Sequence, residues 1–288
     1  MKVLGIGDNV CDKYIDSGMM YPGGQALNFA VNAKLGGAFA GYLGVFGDDG
    51  VAEHVQAVLD DLGVDRSHCR QYHGENGYAV VRLDGNDRVF LGSNKGGVSA
   101  RYPLELSASD LEYIAGFDHV HTSNNSYTDG ILGTLRACGV SVSYDFSKSW
   151  GDTARVQRIC PFIDIAFLSC SGASAETLTE ALGLVLKSGC PHIVATLGED
   201  GALFFDGKTK YMIGPDREAD AVDTLGAGDA FASGFTLEYL GRRLASEAKY
   251  FSGADYQIAV MACLERGTSF ARAACTCLGA FGHGTRIV

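Results

Sequence analysis

A glycine-rich segment in the carboxyl-terminal part of the chain carries the clearest chemistry. It reads Asp223-Thr224-Leu225-Gly226-Ala227-Gly228-Asp229 and leads into a run of small and apolar residues. The two glycines allow consecutive backbone N–H groups to turn toward one point, and a helix beginning there adds its positive end. The pattern predicts a phosphate-binding loop with the Asp229 carboxylate as a candidate general base. The alternative is an ordinary glycine turn that starts a helix, with Asp229 as a favourable first-turn charge.

A second polar segment lies far upstream and reads Gly23-Gly24-Gln25-Ala26-Leu27-Asn28. It is typical of the start of an amphipathic helix whose first turn carries Asn28. The glycines would let a small polar ligand approach the backbone, and the Asn28 amide can both donate to and accept from a hydroxyl. A flexible turn with a solvated asparagine is the alternative, and for this segment alone it is the commoner case.

Together the two segments resemble the two signatures of the PfkB (ribokinase-like) family of carbohydrate kinases. The upstream signature has the pattern Gly-Gly-x-x-x-Asn, and the downstream pattern Asp-Thr-x-Gly-Ala-Gly-Asp is matched at every fixed position. The resemblance covers nearly the whole chain. It implies transfer of the ATP γ-phosphate to a sugar hydroxyl, with Asp229 as base, residues 226–229 as the anion hole, and ATP and Mg²⁺ as cofactors.

The resemblance also implies a sugar-binding set. Asp12 resembles the hydroxyl-binding aspartate of the family, and a carboxylate can accept from two neighbouring hydroxyls. Gly23, Gly24 and Asn28 complete the set, and Arg88 could reach a carboxylate on the substrate. A solvated loop charge is the alternative for Asp12, and a solvated arginine is the alternative for Arg88.

The nucleotide-binding residues implied by the resemblance are more dispersed. Thr196-Leu197-Gly198-Glu199-Asp200-Gly201 resembles the family's turn near the adenosine, with Thr196, Gly198 and Gly201 at the matching positions. Thr224 resembles a further nucleotide contact, and residues 279–284 are expected to close one wall of the adenine pocket. Lys148 is a candidate cation for the triphosphate. An ordinary turn and a solvated lysine are the alternatives.

Two departures from the family pattern stand out. Many relatives carry Asn-x-x-Glu after a central strand, where it organises Mg²⁺, but residues 169–176 read Ser-Cys-Ser-Gly-Ala-Ser-Ala-Glu. The metal ligands are therefore unknown, and Mg²⁺ is expected to arrive as MgATP with water ligands. The stretch Arg242–Arg266 is longer than in most relatives and predicts an extra helix near the nucleotide side.

Short apolar runs alternate with helical patterns along the chain, which favours an α/β fold. We expect a ribokinase-like, doubly wound, mostly parallel sheet flanked by helices. The predicted strands are Val3–Gly7, Phe39–Phe46, His119–His121, Val140–Asp145, Ile163–Leu168, His192–Thr196 and Ala202–Phe205. The predicted helices are Ala26–Leu35, Val51–Leu62, Ser109–Ala115, Asp129–Cys138 and Ala175–Lys187. Ser109 with Glu112 is predicted to form a capping box.

One region departs from this alternation. Residues 77–83 and 88–91, joined by a polar turn, predict a β-hairpin that pairs with residues 13–21. In the family, such strands form a small β-sheet lid over the sugar and often a dimer clasp. We therefore expect a single domain over residues 1–288, with a lid from about residues 12–22 and 76–98 inserted in it, and a homodimer through the lid as one option.

Composition limits the partners. The chain has 288 residues, 47% hydrophobic and 20% charged, with a net charge of −11, so neither nucleic acid nor an anionic membrane surface is an expected partner. The nine cysteines form no Cys-x-x-Cys pair. These features predict reduced thiols and a cytoplasmic protein. His119 and His121 alternate along one strand face without a third nearby ligand, which favours a core or strand-end position over a metal site.

Four stretches resemble fructosamine kinases of the fructoselysine 6-kinase type within the family. They are residues 6–12, 86–90, 144–147 and 162–167. The implied acceptor is the 6-hydroxyl of fructoselysine or a related sugar–amine. A fructokinase, ribokinase or nucleoside kinase of the same family is one alternative. A non-catalytic sugar sensor on the same scaffold is another.

Overall fold

The computed structural model describes residues 1–84, 87–215, 221–245 and 253–288, without the side chains of 83–84, 87–88 and 243–245. Its strands are β1 (Lys2–Gly7), β2 (Val10–Tyr14), β3 (Met19–Gly23), β4 (Phe39–Phe46), β5 (Arg70–Gln71), β6 (Gly77–Asp84), β7 (Asp87–Ser93), β8 (His119–Ser123), β9 (Ser141–Ser147), β10 (Ile165–Ser169), β11 (His192–Thr196), β12 (Ala202–Phe205), β13 (Lys210–Ile213) and β14 (Thr285–Arg286). Its helices are α1 (Gln25–Leu35), α2 (Gly50–Leu62), α3 (Val98–Arg101), α4 (Ala108–Ala115), α5 (Leu132–Ala137), α6 (Thr153–Ile159), α7 (Ala175–Lys187), α8 (Ala227–Ala245) and α9 (Gly253–Ala274).

The main sheet has nine strands in the order β13-β12-β11-β10-β9-β8-β1-β4-β5. The pairings from β11 through to β5 are parallel, and β12 and β13 add two antiparallel strands at one edge. The buried apolar residues of these strands pack against helices in separate clusters on the two faces. The predicted doubly wound α/β fold is confirmed, and ligand sites in such folds lie beyond the carboxyl ends of the strands.

Polar caps set the beginning of several helices. The Asp49 carboxylate accepts from the Ala52 N–H at the start of α2, and Gly63 ends that helix in the left-handed region. The predicted capping box at Ser109 and Glu112 is wrong. Helix α4 begins earlier, so the box is formed by Ser107 and Asp110, each side chain bonded to the other residue's backbone N–H.

The predicted helix at residues 129–138 also differs in detail. Residues 129–131 form a 3₁₀ turn, and the α-helical part is α5 alone. Tyr144 donates to the Asp129 carboxylate at 2.7 Å, and Arg155 donates to the same oxygen at 2.9 Å. These two bonds tie the 3₁₀ turn to β9 and α6.

A second sheet has five strands in the order β14-β3-β2-β6-β7. The hairpin β6–β7 lies where the sequence pattern places it, and β6 pairs in parallel with β2. The segments that the sequence predicts as a lid thus share one sheet. Strand β14 joins that sheet by pairing Thr285 with Met20 and Arg286 with Met19, which no sequence pattern indicated.

The strand histidines are core residues. His119 and His121 are fully buried, and both ring systems hydrogen-bond the Ser143 hydroxyl, at 2.7 and 2.8 Å. His121 also stacks on Phe29 with ring centroids 4.2 Å apart. Within the described ranges, no group of three or more His, Cys, Asp or Glu side chains could hold a metal ion. The core interpretation is confirmed.

The stretch Arg242–Arg266 includes the end of α8 and most of α9, and its residues 246–252 lie outside the described residues. Helix α9 packs along α8 and against β12 and β13. Glu238 of α8 accepts from both Arg242 and Arg266, at 2.8 and 2.9 Å.

Every helix in the described part of the chain is too short or too polar to span a membrane. The nine cysteines are all free thiols.

Candidate active site

The centre of the site is a contact between the two sequence motifs. Asp229 lies in the first turn of α8 and Asn28 in the first turn of α1, and the Asn28 amide nitrogen donates to the Asp229 carboxylate at 2.6 Å. Asp229 is 8% exposed and Asn28 is 2% exposed. Residues 201 positions apart are thus paired in a buried setting, where a hydrogen bond to a carboxylate is strong.

The side-chain amide oxygen of Asn28, Oδ1, is buried without a hydrogen-bond partner in the described part of the chain. A buried amide oxygen without a partner is destabilising unless something donates to it. A ligand hydroxyl lying beside Asp229 would supply that donor. The site therefore places a buried carboxylate beside an amide oxygen that can still accept a hydrogen bond.

The loop before α8 has the shape that its glycines predict. Gly226 has φ +72°, and a Cβ on it would lie 2.4 Å from the Ala280 Cβ and 3.5 Å from the Asn28 amide nitrogen. The N–H of Ala227 donates to the Thr224 carbonyl over 3.3 Å, a long bond. Because the first N–H groups of a helix have no intrahelical acceptor, this loop presents donors beside Asp229. Gly226, Ala227 and Gly228 remain the predicted anion hole.

Asp12 lies against the first of the two upstream glycines. Its carboxylate lies against Gly23, where an added Cβ would sit 2.5 Å from Oδ2, so only glycine leaves room for the aspartate. Gly24 has φ +110° and immediately precedes α1. Asp12 is 6% exposed. The segment Gly23-Gly24 thus lies between Asp12, the predicted sugar-binding aspartate, and the helix that carries Asn28.

Asp8 holds that helix in place, a role the sequence alone did not assign. Its carboxylate accepts from the backbone N–H groups of Gln25 and Ala26, at 2.8 and 3.1 Å, at the start of α1. It also accepts from the hydroxyls of Ser126 and Ser123, at 2.7 and 3.3 Å. A helix cap supplied from 17 residues upstream leaves no capping signature next to the helix itself.

Another buried carboxyl, that of Asp145, lies near the end of β9. The pKa of Asp145 is raised to about 6, mainly by burial and to a smaller extent by the nearby charge of Asp8. The Ser147 N–H donates to Asp145 at 2.6 Å, which opposes this shift in part. Gln25 lies between this carboxyl and Asn125, whose amide donates to the Gln25 side chain at 2.9 Å. The pKa of this buried carboxyl is therefore closer to neutral than that of an ordinary aspartate.

The predicted nucleotide residues lie at the ends of other strands. The hydroxyl of Thr196 donates to the Leu168 carbonyl at 3.4 Å, joining β11 to β10. Gly198 and Gly201 have φ +65° and +90°, and a Cβ on them would meet Ser171 Oγ at 2.5 Å and the Ile213 carbonyl at 2.0 Å. Both positions need glycine. The turn therefore packs directly against the stretch in which the family's Asn-x-x-Glu is missing.

The remaining predicted residues are less constrained. Lys148 follows β9 and is exposed, and Thr224 is exposed at the beginning of the anion loop. The backbone of Arg88 belongs to β7, but its side chain lies outside the described residues. The roles of these three residues stay predictions.

No protein cage for Mg²⁺ is apparent among the described residues. Mg²⁺ usually keeps several waters and is bound largely by substrate phosphates, so an ion that arrives with the nucleotide would not need such a cage. When bound, the ion would neutralise phosphate charge.

A cavity of about 520 Å³ elsewhere in the molecule does not belong to this site. Its lining includes Arg66 and Arg70, and both cations are paired with carboxylates, Arg66 with Asp60 at 2.6 Å and Arg70 with Asp110. None of the predicted site residues lines this cavity. Its charges are already satisfied within the protein.

Sequence comparison points to one family. Residues 3–282 match the family described as pfkB family carbohydrate kinase. The chain is 38% identical over 286 residues to fructosamine kinase FrlD of Bacillus subtilis, covering 99% of this chain and 94% of that protein. It is 34% identical over 236 residues to fructoselysine 6-kinase of Escherichia coli, covering 82% and 88%.

Structure comparison agrees on the fold. Ribokinase of Arabidopsis thaliana, solved in complex with ribose and ATP, superposes with a TM-score of 0.76 at 20% identity, covering 98% of this chain and 94% of that one. The buried Asp229–Asn28 pair joins the two sequence signatures of the same family that the profile identifies. The chain belongs to the pfkB family of carbohydrate kinases.

Proposed function

We propose that the protein transfers the γ-phosphate of ATP to the 6-hydroxyl of fructoselysine or a closely related fructosamine. The observation that carries the proposal is the buried contact between Asp229 and Asn28 beside the glycine loop. The substrate class is supported by the relatives, since the two reported above are named fructosamine kinase and fructoselysine 6-kinase. The nucleotide is supported by the family's chemistry.

In the proposed reaction Asp229 accepts the proton of the acceptor hydroxyl as its oxygen bonds to phosphorus, and the bond from phosphorus to the ADP oxygen breaks. The side-chain nitrogen of Asn28 donates to the Asp229 carboxylate, and its side-chain oxygen Oδ1 accepts a hydrogen bond from a sugar hydroxyl. The loop N–H groups at 226–228 stabilise the charge on the phosphoryl group. Asp12 binds further sugar hydroxyls, and bound MgATP supplies the phosphoryl group with its charge partly neutralised.

The second sheet is proposed to be a lid on a single domain spanning residues 1–288. Its strand β2 carries Asp12, so the sheet contributes directly to the sugar pocket. Lys148, Thr196, Gly198, Gly201 and Thr224 are proposed to contact the nucleotide. Arg88 is proposed to face the amino-acid part of the acceptor.

An acceptor panel tests the proposed function. Purified protein is given MgATP and equal concentrations of fructoselysine, fructose, ribose or adenosine, and ADP release is followed, with the Asp229→Asn variant as the blank. We expect kcat/KM for fructoselysine to exceed that for each other acceptor by about tenfold or more. Mass spectrometry and ³¹P NMR then locate the phosphate on oxygen 6.

The panel also separates the alternatives. Fructose, ribose or adenosine as the best acceptor would identify a related kinase and refute the fructosamine assignment. Binding of a sugar without any ADP release that depends on Asp229 would indicate a sensor. Such a sensor would have no use for both the anion loop and a buried base beside it.

We further propose that the protein forms a homodimer through the second sheet. Strand β7 is the edge of that sheet and exposes Phe90 and Leu91, at 64% and 47%. An exposed apolar edge strand favours pairing with another copy. Light scattering should give twice the mass of 30.4 kDa, and Phe90→Asp should reduce it to the monomer mass. A monomeric wild-type protein would contradict the proposal.

We also propose a cytoplasmic location. The nine free thiols support it, because a reducing compartment keeps such cysteines from pairing. Cell fractionation with antibodies against the protein would test it, and recovery from an oxidising compartment would refute it.

A further inference from the structure

A buried carboxylate ties three separate segments together next to the anion loop. Oδ2 of Asp223 accepts from the hydroxyl of Tyr14 and, at 3.0 Å, from the N–H of Gly279, while Oδ1 accepts from the N–H of Leu225 at 3.0 Å. Asp223 is fully buried and Tyr14 is 2% exposed. The donors come from the second sheet, from the loop before α8, and from the loop after α9.

Two of these donors determine the shape of the anion loop. Leu225 is the residue before Gly226, and Gly279 is the residue before Ala280. Gly226 and Ala280 are packed so closely that a Cβ on the glycine would come within 2.4 Å of the alanine Cβ. By binding both neighbours, Asp223 holds these two walls against each other. The backbone position of residues 226–228 therefore depends on this carboxylate.

The third donor extends this arrangement to the sugar side. Tyr14 and Asp12 are two residues apart on β2, so their side chains leave the strand on the same face. The Tyr14 hydroxyl is bonded to the segment that leads to Asp229, while the Asp12 carboxylate lies on Gly23, next to the start of α1. The hydrogen bond thus fixes β2 relative to the loop that carries the base.

We propose that Tyr14 and Asp223 are positioning residues that set the sugar-binding carboxylate in register with the anion loop and Asp229. Neither touches a substrate; they act through the segments that they join. The inference rests on the proposed function, because it assigns the purpose of the link to phosphoryl transfer. In-line transfer is sensitive to such register, and a displacement of about 1 Å can reduce the rate about 100-fold.

Removing one hydroxyl tests the link. Tyr14→Phe keeps the ring, which packs edge-on against Tyr21 with centroids 5.2 Å apart. Tyr21→Phe is the matched control: it removes a hydroxyl from the same apolar cluster, and that hydroxyl makes no hydrogen bond among the described residues. Asp223→Asn and the double variant Tyr14→Phe/Asp223→Asn complete a cycle.

We expect Tyr14→Phe to lower kcat about 10- to 100-fold while KM for ATP and the melting temperature stay near those of Tyr21→Phe. We expect ATP hydrolysis without sugar transfer to rise as a fraction of turnover, which a general loss of stability would not produce. The double variant should be no slower than the slower single variant, because the Tyr14 hydroxyl acts only through the Asp223 carboxylate.

The outcomes for wild type and variants distinguish failure of the proposed function from failure of the positioning role. If wild-type protein phosphorylates no sugar, the proposed function fails. If wild type is active and Tyr14→Phe matches Tyr21→Phe in kcat and in coupling of ATP use to sugar transfer, the positioning role is refuted. Additive effects in the double variant would also refute it. If Tyr14→Phe merely melts at a much lower temperature with unchanged kcat, the link is structural only, and the inference is wrong.

Discussion

The candidate site differs between the side where the sugar acceptor is expected and the side where the nucleotide is expected. On the acceptor side the groups are buried polar side chains, with Asp12, Asn28 and Asp229 all less than 9% exposed. On the nucleotide side the predicted side chains of Lys148 and Thr224 are exposed, and the constrained features are glycines. Side-chain chemistry therefore dominates where the sugar is expected, and backbone shape dominates where the nucleotide is expected.

The largest expected effect is at the base. Asp229→Asn keeps the size of the side chain but cannot accept the hydroxyl proton, so we expect kcat to fall about 10²- to 10⁴-fold with KM for both substrates within about threefold. Steady-state kinetics with fructoselysine and MgATP measure this. A variant with near-wild-type kcat would show that the acceptor side does not depend on its side chains in this way.

The next effect is at the amide beside the base. Asn28→Ala removes both the donor to Asp229 and the side-chain oxygen Oδ1 that has no partner. We therefore expect kcat/KM for the sugar to fall about 10- to 100-fold. KM for ATP should change less than about twofold. Asn32→Ala is the control, because Asn32 lies one turn later on α1 and donates to the Asn28 backbone carbonyl at 2.8 Å. Equal losses in both variants would contradict a specific role for Asn28.

The nucleotide side should respond to backbone changes instead. At Gly201 an added Cβ would lie 2.0 Å from the Ile213 carbonyl and the φ is +90°, so Gly201→Ala must displace the turn. We expect KM for ATP to rise about tenfold and kcat/KM for the sugar at saturating ATP to change little. Gly214→Ala is the control, since open space surrounds that position. A Gly201→Ala variant with unchanged KM for ATP would remove this turn from the nucleotide site.

The smallest expected effect is on stability. Because the pKa of Asp145 is raised to about 6 in the folded protein, folding favours its protonated form, and stability is lost as pH rises from about 4 through 6. Asp145→Asn should therefore raise the free energy of unfolding by about 1–2 kcal/mol at pH 8 and by little at pH 4. Denaturant unfolding at both pH values measures this. An equal gain at both would show that charge burial is not the cause.

Much of this architecture could be predicted from local patterns. The alternation of short apolar runs and helical segments located the parallel strands, and the polar turn at residues 84–87 located the hairpin. The downstream glycine motif located the loop that lies against Asn28. A short stretch of sequence predicts these features because strand periodicity, turn type and glycine conformation depend on residues that are close together in the chain.

What the sequence did not indicate depends on contacts between distant residues. The Asp8 cap on α1, the Tyr14–Asp223 link and the pairing of β14 with β3 each join segments that are separated in the chain. The capping box was assigned to Ser109 instead of Ser107 because both serines precede an acidic residue by three positions. Burial and distant partners decided these cases, and neither is visible in a short window.

Strand β14 has a consequence for how the protein acquires its shape. The main sheet is assembled mostly from strands that neighbour one another in sequence, whereas the second sheet brings together residues 10–23, 77–93 and 285–286. Pairing between segments so far apart in the chain costs more loop-closure entropy than local pairing and slows folding. A refolding molecule is thus expected to regain its helices and main sheet first and the second sheet last, so catalytic competence should return later than compactness.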